Sequence, residues 1–170
     1  HADFPDDGPI TVSAWFKKED TEKMVISGKW GGTENEWLLF IRAADHANSV
    51  AFHTGDANME ITQANGPSLN VWNHLTATVT AGGAGKIYLN GAEVALTSGG
   101  TGMGWSSGNS QVTIGSENGS SNWFDGKIVD VRIYDAVLEQ ADVQVLASKI
   151  NVDTALGAGT GDLVSFWPIA

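Results

Sequence analysis

Pro9-Ile10-Thr11-Val12-Ser13-Ala14-Trp15-Phe16-Lys17 (PITVSAWFK, 9–17) is the stretch whose reading decides the fold. Ile10, Val12, Ala14 and Phe16 alternate with Thr11, Ser13, Trp15 and Lys17. A period of two places the first set on one face of a β-strand and the second set on the other.

The same signal recurs outward from this stretch. Met24 to Gly28, Trp37 to Arg42, Val50 to His53 and Met59 to Thr62 are short apolar runs with β-branched or aromatic content, and the segment from Gly55 to Asn58 reads as a turn. From Val71 to Thr80, Leu75, Ala77 and Val79 are expected in the core, with Thr76, Thr78 and Thr80 facing water. Lys86 to Leu89, Asn90-Gly91, then Ala92 to Leu96 reads as a hairpin, because Asn-Gly supplies positive φ at both central positions of a type I′ turn. Gln111 to Gly115 and Gly126 to Tyr134 read as two further strands. Leu138 to Ile150 breaks the pattern with near-helical spacing and predicts one short surface helix. Residues 151–170 read as a glycine-rich connector, Gly157 to Gly161, and a closing strand, Leu163 to Pro168. Strands spaced by turn signals, without alternating helices, predict an all-β fold: a two-sheet antiparallel β-sandwich (jelly roll) with one short C-terminal surface helix, residues 1–170 forming a single domain.

Composition narrows the chemistry. The 170 residues carry 21 Gly, 4 Pro and a net charge of −11. Such a charge repels phosphate backbones and argues against nucleic acid as a partner. It serves solubility or offers carboxylates to a hard cation such as calcium, and both readings stay open. Without cysteine, a disulfide framework and thiolate zinc sites are excluded. No apolar run approaches the ~18 residues that span a bilayer. The chain starts at His1, as expected of a processed product or an excerpt.

Seven tryptophans are more than a core of this size requires. Trp15, Trp37 and Trp72 lie within strand patterns and are expected in the core. Trp30, Trp105 and Trp123 sit beside Gly, Ser or Asn in expected loops, where an indole can stack on a sugar face while nearby Asn118 and Asn122 bond its hydroxyls. Asn118-Gly119 is also a turn signal in its own right. Ser98 to Gly108 is the longest irregular loop.

The order ITVSAWFK, ISGKW, WLLFI, WNH, KIYLNG, VTIG and FDGKIVDVRIYDAVL resembles the laminin-G-like jelly-roll family, whose broader fold includes pentraxins and concanavalin A-like lectins. The resemblance runs from about Ile10 to Leu146, and the final segment, Gly126 to Leu138 with the helix after it, is its most specific part. It implies a jelly roll and a structural position for His74. It also implies a structural calcium ion, with Asp130 as best ligand and Asp3, Asp6, Asp7 or Asp162 as partners. The chain departs from the family pattern twice. Val129 stands where many members carry a second acidic residue, and the expected opening strands are missing, with Leu163-Val164-Ser165-Phe166-Trp167-Pro168 at the C-terminus instead. That segment either fills the place of the first strand in a permuted arrangement or begins a second copy.

Glucanases on this fold need three acidic residues at alternating positions of one strand, and Glu34-Asn35-Glu36 falls short. No nucleophile elbow, zinc-protease motif or phosphate loop is present. The sequence therefore predicts a binding module rather than an enzyme: a carbohydrate-binding or adhesive domain outside the cell, on a cell surface or on a virion. The alternative is a structural module that binds protein partners through an edge strand.

Overall fold

β1 (Ile10–Lys18) shows how the layers form. Ile10, Val12, Ala14 and Phe16 are fully buried in the main core. In the computed structural model, residues 8–148 and 163–167 are described, apart from 32–33, 44–45, 47, 56, 62–63, 65, 105, 107 and 109. After β1 come β2 (Met24–Gly31), β3 (Glu34–Ile41), β4 (Val50–Thr54), β5 (Ala57–Ile61), β6 (Asn73–Val79) and β7 (Gly85–Leu89). They are followed by β8 (Ala92–Glu93), β9 (Leu96–Gly99), β10 (Val112–Ile114), β11 (Gly126–Tyr134), α1 (Gln140–Ser148) and β12 (Leu163–Trp167).

The first sheet has the order β12-β11-β1-β6-β7-β8 and the second β10-β2-β3-β4-β5-β9. All described pairings are antiparallel. The inner faces meet in one core, where Ile26, Trp37, Leu39, Ile41 and Phe52 of the second sheet pack against β1, β6, β7 and β11. This is the expected two-sheet antiparallel sandwich. No helix among the described residues is long and apolar enough to cross a membrane.

Two local readings change, and one open alternative is decided. First, Thr76 and Thr78 do not face water: they are buried, and Thr80 is half-buried. Residues 135–148 cover that outer face. Tyr88, Tyr134, Leu138, Val143 and Leu146 form a second apolar cluster there. Burying each of Leu138, Val143 and Leu146 contributes about 1.5–3 kcal/mol. The cover is bonded to β1: Thr11 Oγ1 donates to the Ala136 carbonyl (2.6 Å) and accepts from the Leu138 amide (3.0 Å). Trp15 Nε1 donates to the Leu146 carbonyl at 3.2 Å, which leaves Trp15 half-buried rather than in the main core. Trp72 is half-buried as well.

Second, the single strand read over Ala92 to Leu96 divides. β8 pairs with β7 in the first sheet, and β9 pairs with β5 in the second. Val94 and Leu96 both pack on the core while the backbone changes partner, so side-chain alternation continues across the switch. The Asn90-Gly91 turn forms as expected, with φ of 53° and 81°. Third, β12 pairs with β11 at the outer edge of the first sheet, so the C-terminal segment joins this sandwich.

Candidate functional site on the outer face of the second sheet

The outer face of the second sheet carries its own apolar floor: Val25, Leu38, Phe40 and Ala51 are buried there, with Trp30 packed against them. Trp30 belongs to β2 rather than to the loop expected for it, and its indole is half-buried. His53, from β4, stands between two aromatic rings. Its ring centre lies 5.9 Å from that of Trp30 and 4.7 Å, edge-on, from that of Phe40. Lys23 Nζ sits 5.2 Å from the Phe40 ring centre, within cation–π range.

A loop turns back beside this floor. After β10 pairs with β2, Gly115 takes φ 75°, and its amide bonds the Ile26 carbonyl at 3.0 Å. Glu117 and Ser121 then pair as a small bridge, with the Ser120 amide bonded to the Glu117 carbonyl at 3.0 Å. Asn118 and Gly119, at φ 51° and 66°, supply the two positive φ values of the tight turn. The Asn118 side chain lies over Gly31, where an added Cβ would come within 3.1 Å of its amide atoms. Glycine at 31 is what permits that approach.

Glu117 ties the loop down. Its Oε2 accepts from Lys23 Nζ at 3.0 Å and from Asn122 Nδ2 at 2.7 Å. The Asn122 carbonyl accepts from the Val25 amide at 3.0 Å. Neighbouring Phe124 turns inward, 6.1 Å from Phe16 in an edge-to-face contact, while Trp123 is 61% exposed. The structure thus gathers Trp30, Asn118, Asn122 and Trp123 beside β2.

The charges near His53 set its protonation. Burial first, then Arg42 and Lys23, push its pKa down to about 4 against a smaller opposing effect of Glu117. The imidazole is therefore neutral at physiological pH, and the surface offers aromatic and amide groups beside the Lys23–Glu117 ion pair. Glu117, Lys23, Phe40 and His53 escaped the sequence reading because no periodicity or motif marks them. The Asn-Gly turn after Glu117 was the one available signal.

Trp105 and Asp3 lie outside the described residues, as do Asp6, Asp7 and Asp162. Asp130 is the extra residue of a bulge in β11: Ser13 pairs with Arg132 and Trp15 with Val129, so two β11 residues oppose Ala14. It takes φ 54°, is 3% exposed, and its Oδ1 accepts from Arg132 Nε at 2.7 Å. A cation there would meet a guanidinium, and among the described residues no group of three His, Cys, Asp or Glu is placed to hold a metal. Those surroundings do not fit the six to eight oxygens that calcium takes. Glu36 is 2% exposed and lies 2.7 Å from Lys29 Nζ, in a buried ion pair.

The model of a laminin-G family described as the concanavalin A-like lectin/glucanases superfamily matches residues 1–144. No curated protein sequence matches the chain. Among solved structures, the fold is similar to a candidate carbohydrate-binding protein from Bacteroides ovatus, with a TM-score of 0.72 and 21% identity. That alignment covers 97% of this chain and 47% of the other, so the chain spans about half the length of that relative. A heptameric SAP-like pentraxin from Limulus polyphemus aligns with a TM-score of 0.70 and 15% identity, over 93% of this chain and 77% of its own. Domain 4 of a GH43 extracellular arabinanase from Geobacillus stearothermophilus, solved with arabinotriose, aligns with a TM-score of 0.62 and 21% identity, over 82% of this chain and 66% of its own.

Proposed function

The chain belongs to this laminin-G family of the concanavalin A-like lectin/glucanases superfamily, and from that premise we propose that it is a non-catalytic carbohydrate-binding or adhesive module of an extracellular, cell-surface or virion-surface protein. The observation that carries this reading is the convergence of Trp30, Asn118, Asn122 and Trp123 on one loop and the strand beside it. Flat apolar rings flanked by a few oriented polar groups are what a sugar-binding surface needs. The carbohydrate-binding name of one structural relative and the arabinotriose bound in the structure of another support the same direction.

The non-catalytic part rests on the carboxylates. Glu36 is held in a buried pair with Lys29, and Glu117 is engaged by Lys23 and Asn122, so both carboxylates serve as acceptors to neighbouring side chains rather than standing free for glycoside hydrolysis. Calcium enters as a structural ion only if Asp3 or its acidic neighbours bring ligands that the described surroundings of Asp130 lack.

A glycan array with and without chelator tests the proposal, with tryptophan fluorescence as a solution readout. Binding to at least one glycan class is expected. Silence on every glycan, with unmoved fluorescence, overturns it. The second reading, a protein-binding module, is favoured by β12 as the edge strand of the first sheet among the described residues. Concentration-dependent assembly in light scattering, coupled with silence on glycans, would select it instead.

A further inference from the structure

The outer face of the first sheet buries polar side chains whose hydrogen bonding is incomplete. Ser13, His74 and Thr76 are 1%, 1% and 0% exposed, and among the described residues Ser13 Oγ, His74 Nδ1 and Thr76 Oγ1 have no hydrogen-bond partner. Strand register puts them together. Ser13 stands directly opposite Thr76 of β6 and Arg132 of β11, and Trp15 stands opposite His74. Val12, Ala14, Leu75 and Ala77 point into the main core, so by alternation Ser13, His74 and Thr76 face the cover formed by residues 135–148. Buried polar atoms are nearly always satisfied by protein or by ordered water, so three unpaired ones in one place call for a partner.

The surrounding side chains leave room for it. Tyr88 stands opposite Thr76, Tyr134 opposite Thr11, and Trp15 lies two residues along from Ser13. Tyr88 and Tyr134 share the apolar cluster with Leu138, Val143 and Leu146, and Trp15 Nε1 bonds the Leu146 carbonyl. The cover thus rests on three long side chains arranged around two short hydroxyl residues. Directly opposed Cβ atoms lie roughly 4.5–5.5 Å apart, and the two hydroxyls do not bond each other. One water at about 2.8 Å from each spans such a gap. Charge selects the occupant. Arg132 is already paired with Asp130 at 2.7 Å, so its guanidinium brings no net positive charge to hold an anion. His74 is neutral at physiological pH, because burial and Arg132 lower its pKa to about 3. Two hydroxyls and one ring nitrogen supply too few oxygens for a hard cation.

We propose that one internal water molecule is a fixed component of this fold, bonded to Ser13 Oγ and Thr76 Oγ1 and reaching His74 Nδ1 beneath the 135–148 cover. A water accepts two hydrogen bonds and donates two, which matches two hydroxyls and a ring nitrogen whichever way their protons are arranged. It joins β1 to β6 on the same face where Thr11 joins β1 to the cover. The candidate sugar surface lies on the other sheet, so either site can fail without the other.

The test is a crystal structure of the full chain at a resolution that shows ordered solvent, with oxygen-17 relaxation dispersion as the solution measurement. A solvent peak within hydrogen-bond distance of Ser13 Oγ and Thr76 Oγ1 is expected, and the signal of long-lived water should fall in Thr76→Val. Ser13→Ala and Thr76→Val should each lower the urea midpoint. Together they should lower it little more than the worse of the two, because both act on one water. Hydroxyls bonded directly to protein atoms, with no solvent peak between them, overturn the proposal. So does a Thr76→Val variant as stable as the parent, since a dry site tolerates the apolar replacement. Fully additive losses count against a shared water in the same way. An anomalous peak at this position after a bromide soak overturns the choice of a neutral ligand.

Discussion

Arg132 Nε donates to Asp130 Oδ1 across 2.7 Å, with the two side chains 4% and 3% exposed. Both charges are buried within the first sheet. Tyr134 also hydrogen-bonds Arg132, and the bulge gives Asp130 the left-handed φ that aims its carboxylate at the guanidinium. Breaking a buried pair leaves one charge without its partner, so Asp130→Ala should lower stability by about 3–5 kcal/mol. Asp130→Asn, which tolerates the same φ and still accepts a hydrogen bond, should cost less. Urea unfolding of the two variants checks the order. Equal loss in both would show that the charge is not what matters.

His74 makes folding sensitive to acid. It is 1% exposed, and burial, with a further contribution from Arg132, lowers its pKa to about 3. In the unfolded chain it titrates near its ordinary value of 6.5. The unfolded state therefore binds the proton more readily, and the contribution is complete above pH 6.5, shrinking as the pH falls toward 3. At ~1.4 kcal/mol per pKa unit, the loss reaches a few kcal/mol. His53, with its pKa near 4, adds to the same trend. Urea midpoints measured between neutral pH and mild acid should fall in the parent and fall less steeply in His74→Gln. Parallel curves would exclude His74 as the source.

Thr11 joins the strand to the cover. Its hydroxyl bonds both Ala136 and Leu138, residues 125 and 127 positions away in the chain. Thr11→Val keeps the shape but leaves the buried Leu138 amide without its acceptor, at a cost of about 1–3 kcal/mol. Hydrogen exchange should show faster exchange at the α1 amides in this variant. Unchanged protection across α1 would mean that the apolar cluster alone holds the cover down.

Glu117 separates binding from stability. Its bond to Lys23 is partly exposed, with side chains 22% and 39% accessible, so Glu117→Ala should change stability by only about 0.2–1 kcal/mol. The same change frees the loop that carries Asn118, Asn122 and Trp123. Glycan affinity should fall roughly tenfold while the melting temperature barely moves. A variant that binds as well as the parent would place the ligand elsewhere.

Much of this architecture was readable from alternation. The even-numbered residues from Ile10 to Phe16 form the core side of β1, and Gly126 to Tyr134 form β11 with the bounds expected. The Asn90-Gly91 turn followed from its φ requirement. The site was legible only in part. Trp123 stands out by its polar neighbours and is exposed, whereas the glycines after Trp30 read as a turn although β2 runs on to Gly31. His53, Phe40 and Lys23 are far apart in sequence and carry no shared motif, so nothing local announced their meeting.

By itself, the amino-acid order determined the two faces of each strand, because a backbone of period two sorts side chains without reference to anything distant. What covers each face was decided only in three dimensions. Thr76 and Thr78 are buried because residues 135–148 lie over them, Asp130 is enclosed with Arg132, and Asn118 lies over Gly31 because a glycine there leaves room. Local periodicity describes which way a side chain points. The neighbour it meets depends on strand order and loop path, which arise from contacts across the whole chain.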